Sequence, residues 1–476
     1  DSRTDQAKRA QQLLQYMINQ HQRDQQEHGD DDEKIRIVPN TESFNYVIRA
    51  WSRCRKTDVA PKIVMDILRQ MEQYQRDDPV NSVVQPDNFS YCMAMDTWSN
   101  AAGRKALHPR ADAHSGLYEA QQVELILKYM HDLYSVGHPE VVPNTVAYNT
   151  LLSTWSKLAG SVHHRNSTFQ TEQVLRRMQK LYSEGLEEVK PDHISYTKVI
   201  QAWTNANREN SGTRAVFWLR KLWEEFEEDK DDRLRPRVLT YNAVMKASVA
   251  AGDPTQAENL LKELMQHDAE GSDLRPNTES FSHVIHAWLK SEQRGETNKA
   301  GDGCKRAAEW LDTLVNREDN GDLLVTTTPE LYASLLKTAS VSVTVGDADL
   351  LDLAVTIFDK FRASRHHVDH LSYTWVLQTG LVALAEPHYN AIRSEFVTQL
   401  YQDCCENGLI SNSFLRALAN GPVFHQGWTI EESARLTRKL LAEVKPGPEV
   451  CRNVKIQQFM PSLSDTKRTR FRVEPC

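Results

Sequence analysis

Apolar residues recur along most of this chain at spacings of three and four, and the stretch RPRVLTYNAVMKASVAAGDPTQAENLLKELM (235–265) shows the unit most plainly. Tyr241, Val244, Met245 and Ser248 fall at i, i+3, i+4 and i+7, which puts a mostly apolar stripe on one face of a helix. Gly252 is placed to end that helix, Asp253 to cap a second one, and Pro254 to occupy its first turn, with Gln256 three residues past the cap. Ala257, Leu260, Leu261 and Leu264 give the second helix an apolar face of its own. The pattern predicts a helical hairpin. Neither helix can bury its stripe alone, so the hairpin requires neighbours of its own kind.

The chain supplies them. The phrase Val38-Pro39-Asn40-Thr41-Glu42-Ser43-Phe44 returns with Pro86 before Tyr91, Pro143 before Tyr148, Pro191 before Tyr196, Pro236 before Tyr241 and Pro276 before Phe281. Weaker copies end at Tyr332 and Tyr373, and a ninth lies around Asn412 to Leu418. Prolines 39, 86, 143, 191, 236 and 276 stand 47, 57, 48, 45 and 40 residues apart. Constant helices joined by variable polar loops, the longest from Gly103 to Gly116, predict a repeat array with insertions at its edges. A Trp lies seven residues after the aromatic in five units, at Trp51, Trp98, Trp155, Trp203 and Trp288. Seven residues is two helical turns, so both rings share a face and are expected to pack between the two helices of their own hairpin. Residues 7–28 read as one amphipathic helix, the second half of a hairpin. The expected organisation is a partial repeat over 1–38, about eight hairpins over 39–420, and a terminal helix near 429–444 with a tail carrying KRTRFR (467–472) over 421–476.

Composition narrows the class. With 40% hydrophobic and 26% charged residues the chain can bury a large core, and it has no apolar run long enough for a membrane span. The seven Cys show neither a C-x-x-C pair nor a regular spacing, so neither a zinc site nor a disulfide framework is indicated, and Cys404-Cys405 read as helix residues. His163-His164 and His366-His367 lack metal-ligand company, and Gly301-Asp302-Gly303-Cys304-Lys305 has the wrong spacing for a phosphate loop. No catalytic residue, metal ligand, cofactor or small-molecule substrate is expected. The chain opens at Asp1 without Met, which fits an upstream targeting segment removed or missing.

The residues KPDHISYTKVI and RPRVLTYNAVMKASVAAGDPTQAENLLKELM resemble the pentatricopeptide repeat family over roughly residues 40–410. The resemblance implies an all-α, right-handed α-solenoid of helix-turn-helix repeats that binds single-stranded RNA along its leading helices, one nucleotide per repeat. It implies that the residue after the motif aromatic and the residue after the following proline meet the base edge. That gives Asn45 with Asp87 and Asn149 with Asp192 (uracil), Asn242 with Asn277 (a pyrimidine), and Thr374 with Asn412 (adenine). The pairs Cys92/Asn144, Thr197/Arg237, Ser282/Thr328 and Ala333/Asp369 do not translate. The family also places an apolar wedge near the start of each leading helix, whereas this chain has Glu42, Glu279 and Glu330 there.

The net charge of −8 argues against a polyanionic partner, but its distribution changes that. Residues four and eight places past each presumed base reader share its helical face, and they include Arg49, Arg53, Lys157, Lys246, His286, Lys290 and Lys337 against one acid, Asp96. A locally basic channel suits phosphate contact. The expected function is an organellar RNA-binding repeat protein, mitochondrial with plastid as the alternative, acting in RNA processing, stability or translation. The competing expectation is a structural subunit of a large assembly such as a mitochondrial ribosome, contacting rRNA and proteins without free sequence recognition. Single-stranded RNA or rRNA is the expected partner, with ribosomal or other organellar assembly proteins as further candidates.

Overall fold

Each Pro-Asn or Pro-Asp phrase opens a helix, and the reason is local. Asn40, Asp87, Asn144, Asp192 and Asn277 are N-caps whose side chains accept the backbone N–H of the third helical residue. At Asn40, Asp87, Asp192 and Asn277 that third residue is a serine whose hydroxyl accepts the cap's own N–H, closing a reciprocal box. The computed structural model describes residues 2–27, 38–54, 58–77, 83–161, 163–164, 166–297 and 299–420. Among them are 18 α-helices and no strand. The expected helix near 429–444 and the basic tail lie outside the described residues.

The helices gather into two compact units, 1–251 and 252–476. The first holds α1 (Ser2–Glu27) and the hairpins α2 (Thr41–Ser52)/α3 (Ala60–Asp77), α4 (Asn88–Ala106)/α5 (Leu117–Ser135), α6 (Thr145–Leu158)/α7 (Ser167–Ser183) and α8 (His193–Ala206)/α9 (Ser211–Asp229), then α10 (Val238–Ala251). The leading helices α2, α4, α6, α8 and α10 pack directly on one another in order. Each trailing helix packs on its own leading helix and on the next, and α1 packs on α2. Trailing helices touch each other far less, so within this unit the leading helices form the inner layer. The second unit holds α11 (Pro254–Ala269), the hairpins α12 (Thr278–Arg294)/α13 (Asp302–Asp319), α14 (Pro329–Ser342)/α15 (Ala348–Ala363) and α16 (His370–Ala383)/α17 (Asn390–Glu406), and α18 (Asn412–Asn420). There α12, α14, α16 and α18 pack in the same succession. A stack in which each element meets only its neighbours is the arrangement of an α-solenoid.

The apolar stripes lie where their spacing puts them. Tyr241, Val244, Met245 and Ser248 are buried, as are Ala257, Leu260, Leu261 and Leu264. Gly252 follows α10 at φ +84°, Asp253 accepts the Gln256 N–H at 2.9 Å, and Pro254 opens α11. One boundary differs: α4 runs through Gly103 to Ala106 instead of ending there. The stem of Lys157 lies against Gly103, 3.0 to 3.4 Å from where a Cβ would sit, so the missing side chain makes room for a neighbour and does not break the helix.

The rings are buried, but their polar edges point to the preceding hairpin and not only to their own. Tyr91 donates to Glu72 of α3 at 2.9 Å, Tyr148 pairs with His131 of α5 at 2.8 Å, and Gln179 of α7 donates to the Tyr196 hydroxyl at 3.0 Å. Two turns along, Trp51, Trp155 and Trp203 donate their indole N–H to Gln11, Glu124 and Glu172, and in the second unit Trp288 donates to Glu258. By these bonds α6 and α8 are held to the helix before them at two levels, and α2, α4 and α12 at one. The reason is the hydrogen-bonding tip that Tyr and Trp carry on an apolar body: once the body is buried, the tip needs a partner, and the preceding trailing helix provides it. Trp98 is the exception. Its buried Nε1 has no partner among the described residues, and Ile67 stands at the spacing where other units carry an acceptor.

Candidate nucleic-acid interface

The junction between consecutive leading helices brings two of the sequence-derived pairs together. Asn45 Nδ2 on α2 donates to both oxygens of Asp87, the cap of α4, at 3.2 and 3.3 Å. Asn149 Nδ2 on α6 donates to Asp192 Oδ1, the cap of α8, at 3.1 Å. A third residue, absent from the sequence reading, completes both sites. Ser90 Oγ lies 2.6 Å from Asn45 Oδ1, and Ser195 Oγ lies 2.7 Å from Asn149 Oδ1. Capping explains the placement: the N-cap carboxylate must sit at the head of its helix, and stacking lays the preceding helix's asparagine beside it.

Other presumed readers are placed differently. Thr374 on α16 donates to its own helix at the His370 carbonyl and faces Ser413, at 3.4 Å, with no hydrogen bond to Asn412 among the described residues. Asn242 is buried in the first unit, whereas Asn277 caps α12 in the second. Cys92 occupies the reader position of α4, where burial and the nearby Asp87 push its thiol up to about 12, leaving a neutral, weakly bonding group. At α8, Thr197 pairs with Thr240 at 2.8 Å.

Three residues before these positions, on the same helical face, the first unit exposes an apolar side chain in four successive leading helices. They are Phe89, Val146, Ile194 and Leu239, at 41%, 58%, 42% and 63% exposure. They sit one short turn from Cys92, Asn149, Thr197 and Asn242. A buried role would have covered them. Glu42 holds the equivalent place on α2, and Glu279 on α12; both are exposed.

The cations divide into two groups. Arg49, Arg53, Lys246 and Lys337 are exposed and enter no ion pair among the described residues. Arg49 and Arg53 join Arg3 of α1 around a cavity of about 620 Å³ that also meets Ser52, Met93 and Asp96. Arg3 was missed because its helix carries no repeat phrase. Lys157, by contrast, is half-buried, and its ammonium donates to Ser99 and Asn100 of α4 at 3.0 and 2.9 Å. In the second unit the exposed His286 holds the Ser282 carbonyl at 2.7 Å, and Lys290 has its ammonium pushed down by burial and by Arg294. The acidic run at the end of α9 lies in the trailing layer, where Asp229 and Asp231 hold Lys190 at 3.0 and 2.9 Å.

The remaining motifs have structural partners. The Gly301 and Gly303 N–H groups point at the Glu292 carboxylate, at 2.6 and 2.9 Å, so this loop cradles an anion of the protein's own. His164 bonds the Ser115 carbonyl and His366 meets Thr327, while Cys404 and Cys405 lie on α17. Among the described residues no cluster of three metal-ligating side chains occurs, and no helix is long and apolar enough to cross a membrane.

No family profile and no curated protein matches the chain. Among solved structures it is similar to the crystal structure of the pentatricopeptide repeat protein PPR10 from maize. The identity is 16% with a TM-score of 0.39, over 90% of this chain and 55% of that one. The chain therefore spans about half the length of that protein.

Proposed function

We propose that this chain binds single-stranded RNA along the leading helices of its first unit, and that it works in organellar RNA processing, stability or translation. The observation that carries the reading is the register of Phe89, Val146, Ile194 and Leu239, each exposed one turn from a junction residue. Apolar faces spaced one per repeat offer surfaces against which successive bases can pack, and the aromatic one, Phe89, can stack on a base at ~1–3 kcal/mol. The Asn45/Asp87 and Asn149/Asp192 junctions set hydrogen-bonding groups between those surfaces. Arg49, Arg53 and Lys246 then serve phosphates; Lys157 takes that role only by leaving Ser99 and Asn100, and His286, Lys290 and Lys337 would do so in the second unit. The mitochondrial or plastid setting rests on the family resemblance alone.

The test is affinity for single-stranded RNA against salt. With about 0.7 counterions released per neutralised phosphate, Arg49→Ala with Arg53→Ala is expected to flatten the log–log slope by about 1.4. Wild-type protein that shows no salt-sensitive RNA binding would overturn the reading. A second reading, a structural subunit of a large ribonucleoprotein, is supported by the internally committed Lys157 and by the exposed Glu42 and Glu279. It predicts co-purification with assembly proteins and no affinity for free RNA.

A further inference from the structure

We propose that Ser90 and Ser195 are positioning residues of this interface: each, with the cap carboxylate beside it, holds the preceding helix's asparagine amide with its oxygen turned inward, and so limits which base edge the junction accepts. The proposal rests on the RNA reading above. A carboxylate can only accept, so the Asn149 atom 3.1 Å from Asp192 Oδ1 is the nitrogen, and the atom 2.7 Å from the Ser195 hydroxyl is Oδ1. Asn45, Asp87 and Ser90 repeat the arrangement with distances of 3.2 and 2.6 Å. The serine hydroxyl keeps the amide oxygen turned inward, and the same hydroxyl lies 2.8 and 3.0 Å from Asp87 Oδ1 and Asp192 Oδ1. What remains for a ligand is the second N–H of the asparagine beside the outer carboxylate oxygen.

Uracil presents N3–H next to O4, and cytosine presents N3 next to its amino group: the same two functions in opposite order. A donor and an acceptor held in place fit one order only, whereas a turned amide would set two acceptors side by side and fit neither. A hydroxyl faces the reader at two further junctions, whereas Leu331 holds that place opposite Ser282. Thr240 meets Thr197 at 2.8 Å, and Ser413 lies 3.4 Å from Thr374. Where the reader is Cys92, the facing residue of α6 is Ala147, which has no hydroxyl.

Both serines also close capping boxes, so the test has to separate the two roles. Ser43 provides the control, because it closes the same box with Asn40 and meets no reader asparagine among the described residues. Anisotropy titrations of labelled oligo(U) and oligo(C) against the full chain give the affinity ratio and the salt slope. The wild type should separate the two on the order of tenfold. Ser90→Ala with Ser195→Ala should bring the ratio close to one with the slope unchanged, Ser90→Thr with Ser195→Thr should retain it, and Ser43→Ala should leave it untouched. A folded double-alanine variant with the wild-type ratio, or an equal collapse in Ser43→Ala, overturns the proposal. Wild-type binding that is salt-sensitive but indifferent to base overturns it too, leaving the RNA reading intact. Absence of all RNA binding removes both.

Discussion

Glu172 offers the sharpest test of how the hairpins are joined. Its carboxylate is 3% exposed, and one oxygen accepts the indole N–H groups of Trp203 and Trp218, each at 2.9 Å, together with the Arg214 guanidinium. Three helices, α7, α8 and α9, therefore meet on one oxygen atom. In Glu172→Ala both indoles lose their acceptor in a buried site, at about 1–2 kcal/mol each. Arg214 is about one-third exposed and also lies over the Trp203 and Phe217 rings, so water replaces part of its lost ion pair and adds only about 1 kcal/mol. The sum is about 3–5 kcal/mol, which for a unit of this size lowers the melting temperature by roughly 10 °C. Glu172→Gln keeps an acceptor for the indoles and should cost less than half as much. Because a stacked array need not unfold in one step, hydrogen exchange resolved to α7, α8 and α9 is the appropriate readout beside urea denaturation. A loss below about 1 kcal/mol in Glu172→Ala, or equal losses in the two variants, would refute the reasoning.

Two further outcomes follow from the same structure. At Glu258, burial pushes the carboxyl up, but hydrogen bonds from Lys262, Trp310 and Trp288 outweigh it and the net shift is down. A lowered folded value means the stabilisation is complete above the ordinary glutamate range near 4.3 and is lost as the pH falls through the lower folded value. Acid titration from about pH 5 to 3 should therefore weaken wild type more than Glu258→Gln, and equal acid sensitivity would contradict this. At the head of α2, Glu42→Val replaces an exposed carboxylate with the apolar type found at Val146, and RNA affinity measured by anisotropy should rise about fivefold, from roughly 1 kcal/mol of screened repulsion removed. Unchanged affinity would remove α2 from the interface.

The residues of this chain determine its elements by themselves. Helix faces, the caps at Asn40, Asp87 and Asp192, and the stop at Gly252 depend on groups within four residues of one another, so spacing alone exposes them. The pairing of Asn45 with Asp87 was also legible, but only through the family resemblance. Contacts between helices were not legible in this way. That Trp203 reaches back across the hairpin seam to Glu172 depends on how far one hairpin is offset from the next, although the partner then stands at the 31-residue spacing that Trp155 and Glu124 share and that Ile67 fills opposite Trp98. That Lys157 spans to Ser99 and Asn100, while Arg49 and Arg53 open onto a cavity with Arg3, depends on the same offset. Loops of unequal length separate Lys157 from Ser99 and Asn100, and Arg49 and Arg53 from Arg3, so no fixed spacing identifies those partners. Stacking decides that a buried polar tip faces the preceding hairpin, and which cation is left to meet solvent.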